Sequence, residues 1–146
     1  MVIKMREILF KAKRTDNGEW VEGLLWKKKY QSNKWFISCF PDKDDNEDVY
    51  VVDADTICQY TGLTDKNGRK IWENDVVSLK FRDGRIGAEE KEYKYVIRYD
   101  EQEASYELEG NLDLLGHPCF IQSNQYMFEV IGNIFDMGKE DFENGC

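Results

Sequence analysis

The sequence predicts a mostly β protein built from small antiparallel sheet units, with few short helical turns. Short runs of β-branched and aromatic residues recur along its 146 residues, separated by Asn-Gly and Asp-Gly pairs and by acidic clusters. Proline occurs only at Pro41 and Pro118. No window carries the 3.6-residue apolar periodicity of a long helix. Together these observations favour antiparallel β structure over any helical class.

Nine strands are predicted from these runs. In chain order they cover residues 7–12, 19–28, 35–40, 49–52, 57–60, 75–81, 93–99, 105–109 and 129–134. Alternation is clearest in the seventh, where Tyr93, Tyr95 and Ile97 share one face and Lys94 and Val96 the other. A strand of this kind buries one face and leaves the other polar.

Turn chemistry connects the strands. Asn17-Gly18 and Asn67-Gly68 supply the positive φ angles that a tight hairpin turn needs, and Asp83-Gly84 is a third such pair. Residues 111–115 and 135–142 are each expected to form a short helical turn.

The chain is long enough for one domain or two very small ones. A faint internal repetition, in which Asn-Gly is followed by Trp, an acidic residue and an apolar pair, is compatible with two related units. We therefore expect an N-terminal β unit over 1–64 and a C-terminal β-barrel unit over 65–146. One compact domain of two parts is the alternative, because β-hairpins reuse the same turn residues.

Composition narrows the class of protein. Hydrophobic residues make up 41% of the chain and aromatic residues 14%, which is enough for a core, and no apolar run has membrane-spanning length. The start of the chain lacks the features of a signal peptide, so a cytoplasmic protein with reduced cysteines is expected. The net charge of −9 disfavours a simple nucleic-acid coat and suits a basic protein partner.

Three groups of residues are candidates for chemistry, and each also has a structural interpretation. His117 and Cys119 would need an orienting acid and an oxyanion site to act as a catalytic pair, and His-Pro is also a common turn element. Adding Cys39 or Cys58 would complete a metal site, but no local ligand pair anchors one.

The acidic segment after Pro41 partly fits a calcium loop. Asp42, Asp44, Asn46 and Asp53 occupy template positions, but Glu47 stands where glycine is needed. A solvated hairpin loop explains this segment better. We therefore expect no catalytic, cofactor-binding or metal-binding residues and no cofactor.

A stretch that mixes lysine with aromatic residues is the best nucleic-acid signal. Lysines contact phosphates and aromatic rings stack on bases. The alternative is a lysine-bearing hairpin whose rings face the core. The residues that would bind nucleic acid are Lys27, Lys28, Lys29, Lys34 and Trp35.

Four sequence blocks, in this order, resemble the YopX family of bacteriophage and prophage proteins. They are Met5-Arg-Glu-Ile-Leu-Phe-Lys-Ala12, Gln59-Tyr-Thr-Gly-Leu-Thr-Asp-Lys-Asn-Gly68, Ile71-Trp-Glu-Asn-Asp-Val-Val77 and Val130-Ile-Gly-Asn-Ile-Phe135. The chain departs from the family pattern at Lys13, where tryptophan is usual, and at Cys58 and Asn74, where glycine is usual. Asn74 is an acceptable replacement for the usual glycine, because asparagine tolerates left-handed backbone.

The resemblance implies a C-terminal half with a small SH3-like barrel and no established enzymatic activity or cofactor. It implies an accessory protein of phage origin that acts through protein contacts and self-association in the bacterial cytoplasm, as a homo-oligomer or with an unknown host or phage protein, and not at a membrane. The alternative is a nucleic-acid-binding β barrel.

Overall fold

The computed structural model describes residues 6–30, 33–39, 48–82, 84–110 and 127–137. These residues form ten strands and one short 3-10 helix, so the predicted mostly β class is confirmed. The strands belong to two antiparallel sheets. The chain divides into two compact units, Met1–Gly62 (unit 1) and Leu63–Cys146 (unit 2).

Unit 1 contains the first five strands and the helix. They are β1 (Phe10–Lys13), β2 (Trp20–Lys27), β3 (Trp35–Cys39), β4 (Asp48–Val52), the 3-10 helix (Ala54–Thr56) and β5 (Cys58–Thr64), whose last residues continue into unit 2. The sheet order in this unit is β4-β3-β2-β1-β5. Asp53 caps the N-terminus of the helix, and its carboxylate accepts a hydrogen bond from the Asp55 N–H at 3.0 Å.

The sheet of unit 1 curls so that its edge strand β4 returns to the end of β1. Arg14 and Val52 form a single antiparallel bridge, and the Thr15 N–H donates to the Val51 carbonyl at 3.1 Å. The Asp53 N–H donates to the Lys13 carbonyl at 2.8 Å. One bridge is not a ladder, so the sheet remains open.

The hairpin between β1 and β2 forms as its turn residues predict. Gly18 has a φ of 73°, which only glycine adopts without a steric penalty. The Asn17 side chain accepts from the Glu19 N–H at 2.9 Å, and the Gly18 N–H donates to the Arg14 carbonyl at 3.0 Å. This turn sets the register in which Lys13 stands opposite Trp20.

The core of unit 1 lies on one face of its sheet. Ala12, Ile37 and Val52 are its buried residues. Partly buried residues pack around them: Val21, Leu25, Trp35, Cys39 and Ile57. Cys39 and the buried Cys58 carry thiols rather than a disulfide.

Unit 2 contains the other five strands. They are β6 (Lys70–Trp72), β7 (Asp75–Arg82), β8 (Glu90–Asp100), β9 (Ser105–Gly110) and β10 (Phe128–Asn133). The four-stranded sheet has the order β10-β7-β8-β9. Sequence reasoning missed β6, because three residues are too few for an alternating pattern to be recognised.

The core of unit 2 follows the alternation that the sequence predicts. Tyr95 and Ile97 of β8 face it, with Tyr93 packed against its edge, whereas Lys94 and Val96 point to the opposite face. The other buried members of this cluster are Ile71, Val77, Leu79, Leu108, Phe128 and Val130.

The expected closed barrel is wrong for the part of unit 2 that the structure describes. The four-stranded sheet ends at β9 on one side and at β10 on the other. The edge of β10 is occupied instead by a turn: the Lys66 N–H donates to the Phe128 carbonyl at 3.0 Å. The SH3-like character therefore stays a prediction.

Three predicted features of the loops fall partly or wholly outside the described residues. The helical turn at 111–115 lies outside them, as does Asp83. Of the turn at 135–142, only the first three residues are described, and there the Asp136 N–H donates to the Asn133 carbonyl at 2.9 Å.

Candidate functional site

The predicted nucleic-acid residues lie on the β2–β3 hairpin, and one pair of them meets. Lys27 stands directly opposite Trp35 in the strand register, and its Nζ lies 5.2 Å from the centroid of the indole ring. Trp35 packs against the core cluster of unit 1 and is half-buried. This pair therefore sits at the rim of the core-facing side of the sheet.

The remaining predicted lysines do not join that pair. Lys28 places its Nζ 5.7 Å from the Phe36 centroid, and Lys29 places its own 5.6 Å from that of Tyr30. Tyr30 is 89% exposed, so one aromatic ring of this hairpin is open to solvent. Lys34 is exposed beside the start of β3.

The opposite side of the same sheet, which we call the outer face, carries a second set of rings. Trp26 stacks on Phe36 across the β2–β3 pair, with centroids 4.5 Å apart and planes 14° apart. The Trp26 indole N–H donates to the Ser38 hydroxyl at 2.8 Å. These contacts hold the Trp26 ring in one orientation, because both its face and its polar edge have partners.

Sequence reasoning missed the basic end of the outer face. Lys13 stands opposite Trp20, and Lys11 is diagonal to it. Both ammonium groups lie over the Trp20 indole, 4.7 Å from its centroid for Lys11 and 5.4 Å for Lys13. The signal was present, because lysines two residues apart on a strand share one face and the Asn17-Gly18 turn predicts the hairpin.

Cation–ring contacts at half-exposed positions are modest in energy, about 0.5–1 kcal/mol each. Such a lysine can leave the ring for a stronger anionic partner. In the unbound protein a lysine covers the face of each of these aromatic rings, and the face becomes accessible when that lysine moves away. Six cation–ring contacts lie in unit 1.

Arg14 differs from the lysines because it already has an anionic partner. Its guanidinium lies 4.3 Å from the Tyr50 centroid and forms two hydrogen bonds with the Asp16 carboxylate, at 2.6 and 2.9 Å. These bonds lower the pKa of Asp16 and raise that of Arg14. The charge of the Arg14 guanidinium is therefore balanced by the neighbouring Asp16 carboxylate.

Charge is distributed unevenly between the two units. Unit 1 holds ten Lys and Arg residues against eleven Asp and Glu, whereas unit 2 holds ten against eighteen. The net charge of −9 thus belongs almost wholly to unit 2. In its sheet, acid stands opposite base: Lys80 faces Glu92, and Arg82 faces Glu90.

The sequence blocks quoted above carry structural roles in unit 2, beginning with Asp65. This carboxylate is 2% exposed and accepts three backbone hydrogen bonds, from the N–H groups of Asn67, Arg69 and Val130, each at 2.9 Å. Burial alone would raise the pKa of Asp65, but these donors and the Arg69 charge outweigh it, and the pKa is lowered. The Asp65 turn is thereby fastened to β10.

A second buried carboxylate connects the other two blocks. Asp75 accepts from the Trp72 N–H at 2.8 Å and from the Asn133 side-chain amide at 3.0 Å. Beside it, Asn74 adopts a φ of 68°, which confirms the left-handed backbone expected there. The Asn74 side chain accepts from Arg98 at 2.7 Å. These blocks therefore build the fold rather than a reaction centre.

The other candidate residues give no site within the described part of the chain. His117, Cys119 and residues 40–47 lie outside it. Of the calcium-template residues, only Asp53 is described, and it caps the 3-10 helix. Among described residues, no three His, Cys, Asp or Glu side chains cluster as metal ligands, and no helix combines the length and apolar character that crossing a membrane requires.

Fold and surface together define a two-unit antiparallel β protein with buried carboxylates in one unit and a lysine–aromatic surface on the other. The chain belongs to the YopX family, since the family model described as YopX protein matches residues 9–139. No curated protein matches it.

Proposed function

We propose that this YopX-family chain is a non-enzymatic accessory protein of phage or prophage origin, which acts through protein contacts and self-association in the cytoplasm of a bacterial host. The observation that carries the proposal is an apolar patch on the outer face of unit 1. Leu24 and Val49 are 49% and 44% exposed, and both stand opposite Ser38 in the register. A sheet with one solvated face ordinarily places polar residues at such positions.

The patch extends along the sheet as well as across it. In the next row Trp26, Phe36 and Val51 stand side by side on β2, β3 and β4. Phe36 is already buried, and the other two are half-buried. Covering the row and its two exposed neighbours would remove further apolar surface from water, which is the main favourable term in association.

A second copy of the chain is the occupant that this patch suits best. Lys11 and Glu22 stand opposite each other beside the patch, so its rim carries both charge signs. A two-fold contact places the same patch on itself, where a rim with both signs can pair with its own copy. Contacts with a host or phage protein would use the same apolar surface.

Light scattering after size-exclusion chromatography tests the proposal. At high micromolar concentration we expect an oligomer, and Leu24→Lys should shift it toward monomer by burying an unpaired charge. Ile131→Lys is a matched control, because Ile131 is a 38% exposed aliphatic residue in unit 2. A wild-type protein that stays monomeric, or equal effects of both variants, would contradict the proposal.

A further inference from the structure

We infer that the basic end of the outer face, formed by Lys11, Lys13 and Trp20 with Lys28 farther along, binds single-stranded nucleic acid. This activity is additional to self-association and rests on cationic and aromatic groups; along β2 its path shares Trp26 with the apolar patch. It also differs from the site predicted from the sequence, which centred on Lys27 and Trp35.

The geometry first argues for a ligand that has both negative charge and flat rings. Two ammonium groups lie within 5.4 Å of the centroid of one half-buried indole. A carboxylate or phosphate alone would use the lysines and leave the ring without a role. A nucleotide uses both, since its phosphate pairs with lysine and its base stacks on the indole.

The lysines covering Trp20 do not prevent stacking. An exposed cation–ring contact is weak compared with base stacking on the same ring combined with a phosphate contact. When the Lys11 and Lys13 ammonium groups turn to phosphates, the indole face is uncovered for a base. The lysines therefore cover the indole ring in the unbound protein and contact the phosphates of the nucleic acid in the complex.

The sheet provides more than one contact point along a strand. Trp20 and Trp26 are six residues apart on β2, which is about 20 Å of extended chain, and Lys28 continues the same face beyond Phe36. A flexible single strand of several nucleotides can follow this path. A duplex hides its base faces, so it can use only the lysines and should bind more weakly.

Local charge permits binding despite the acidic chain. Unit 1 is nearly neutral overall, and its Arg14–Asp16 pair is internally balanced. Glu22, opposite Lys11, opposes binding at this face. We therefore expect affinity that is measurable at low salt and falls quickly as salt rises.

Fluorescence anisotropy with labelled 20-nucleotide oligo-dT, the matching RNA and a duplex tests the inference. Single strands should bind at low salt, with log affinity falling against log salt at a slope of about −2, as three phosphate contacts require. The double variant with Lys11→Gln and Lys13→Gln loses two of these phosphate contacts, so the magnitude of the slope should fall by about 1.4. Trp20→Ala should weaken single-strand binding about tenfold and leave duplex binding nearly unchanged.

Three comparisons make the outcome decisive. Lys66→Gln with Lys80→Gln removes two exposed lysines of unit 2 and should change neither affinity nor slope. Trp20→Phe should restore much of what Trp20→Ala loses, and circular dichroism shows whether each variant folds. Absence of single-strand binding at low salt, stronger duplex binding, or equal loss in the unit 2 variant would overturn the inference. Light scattering on Trp20→Ala reports self-association separately.

Discussion

The two units use charged side chains in opposite ways. In unit 2, Asp65 and Asp75 are each 2% exposed and have hydrogen-bond donors aimed at their oxygens. In unit 1, the lysines of the outer face lie at the surface over aromatic rings. Buried charges with fixed partners stabilise one conformation, whereas surface charges on ring faces can change partner. The sequence blocks that resemble the family are therefore largely separate from the proposed interaction surface.

Of the substitutions that test this comparison, Asp65→Ala should change the unfolding free energy most. The change leaves three backbone N–H groups in the Asp65 turn and β10 without their acceptor, so unit 2 should lose about 3 kcal/mol of unfolding free energy. Urea denaturation followed by circular dichroism measures it. Asp16→Ala is the control in unit 1, where the exposed ion pair should contribute far less to the unfolding free energy. Equal losses would mean that burial does not separate the two units.

Gly23→Ala should have the next largest effect, this time on unit 1. A Cβ at Gly23 would overlap the backbone carbonyl of Ser38, so β2 and β3 must separate. We expect a loss of about 2 kcal/mol, typical of forced overpacking. Gly18→Ala, where a Cβ meets no atom within 4 Å, tests the positive φ alone. If Gly23→Ala lowers the unfolding free energy no more than a substitution at an exposed position does, β2 and β3 do not approach each other this closely.

Asn74 allows the backbone and side-chain contributions in unit 2 to be separated. Asn74→Ala forces a Cβ residue without a helpful side chain into a φ of 68° and removes the Arg98 hydrogen bond, which should cost about 1–2 kcal/mol. Asn74→Gly removes the same bond but relaxes the backbone, so it should cost less. Thermal denaturation of both variants gives the difference. A glycine variant as unstable as the alanine one would show that the backbone carries no strain.

Acid should weaken unit 2 through Asp65, which is the smallest of the effects expected here. Because the pKa of Asp65 is lowered in the fold, its contribution is present above the unfolded pKa of about 3.9 and is lost as pH falls through the folded pKa. Denaturation midpoints at pH 5 and pH 3 measure this loss. The midpoint of Asp65→Asn should fall less between the two pH values than that of the wild type. An equal fall in both proteins would mean that other carboxylates cause the loss of stability.

Local features of the sequence were predictable because they depend on near neighbours. The hairpin at Asn17-Gly18 and the alternation from Tyr93 to Ile97 need only turn preference and a two-residue period. The candidate site was predicted only in part. Lys27 does meet Trp35, but Lys28 meets Phe36, because the register rather than proximity in sequence selects the partner.

The described residues of unit 2 form no closed barrel, for a reason that no local pattern contains. The edge of β10 receives the Asp65 turn, so the described sheet stays open between β9 and β10. A buried carboxylate that satisfies a strand edge protects it much as a neighbouring strand would. Asp65 looked like an ordinary turn residue in the sequence, because its partner in β10 lies 65 positions away.

The β class, the positions of most strands, the turn glycines and the family are all predictable from the sequence. These follow from two-residue periodicity and from glycine or asparagine at left-handed positions, which are properties of short segments. In contrast, the pairing of Asp75 with Asn133, 58 positions apart, and the covering of Trp20 by Lys11 and Lys13 are visible only in the folded chain. Strand register sets those contacts, and register depends on the packing of the whole sheet.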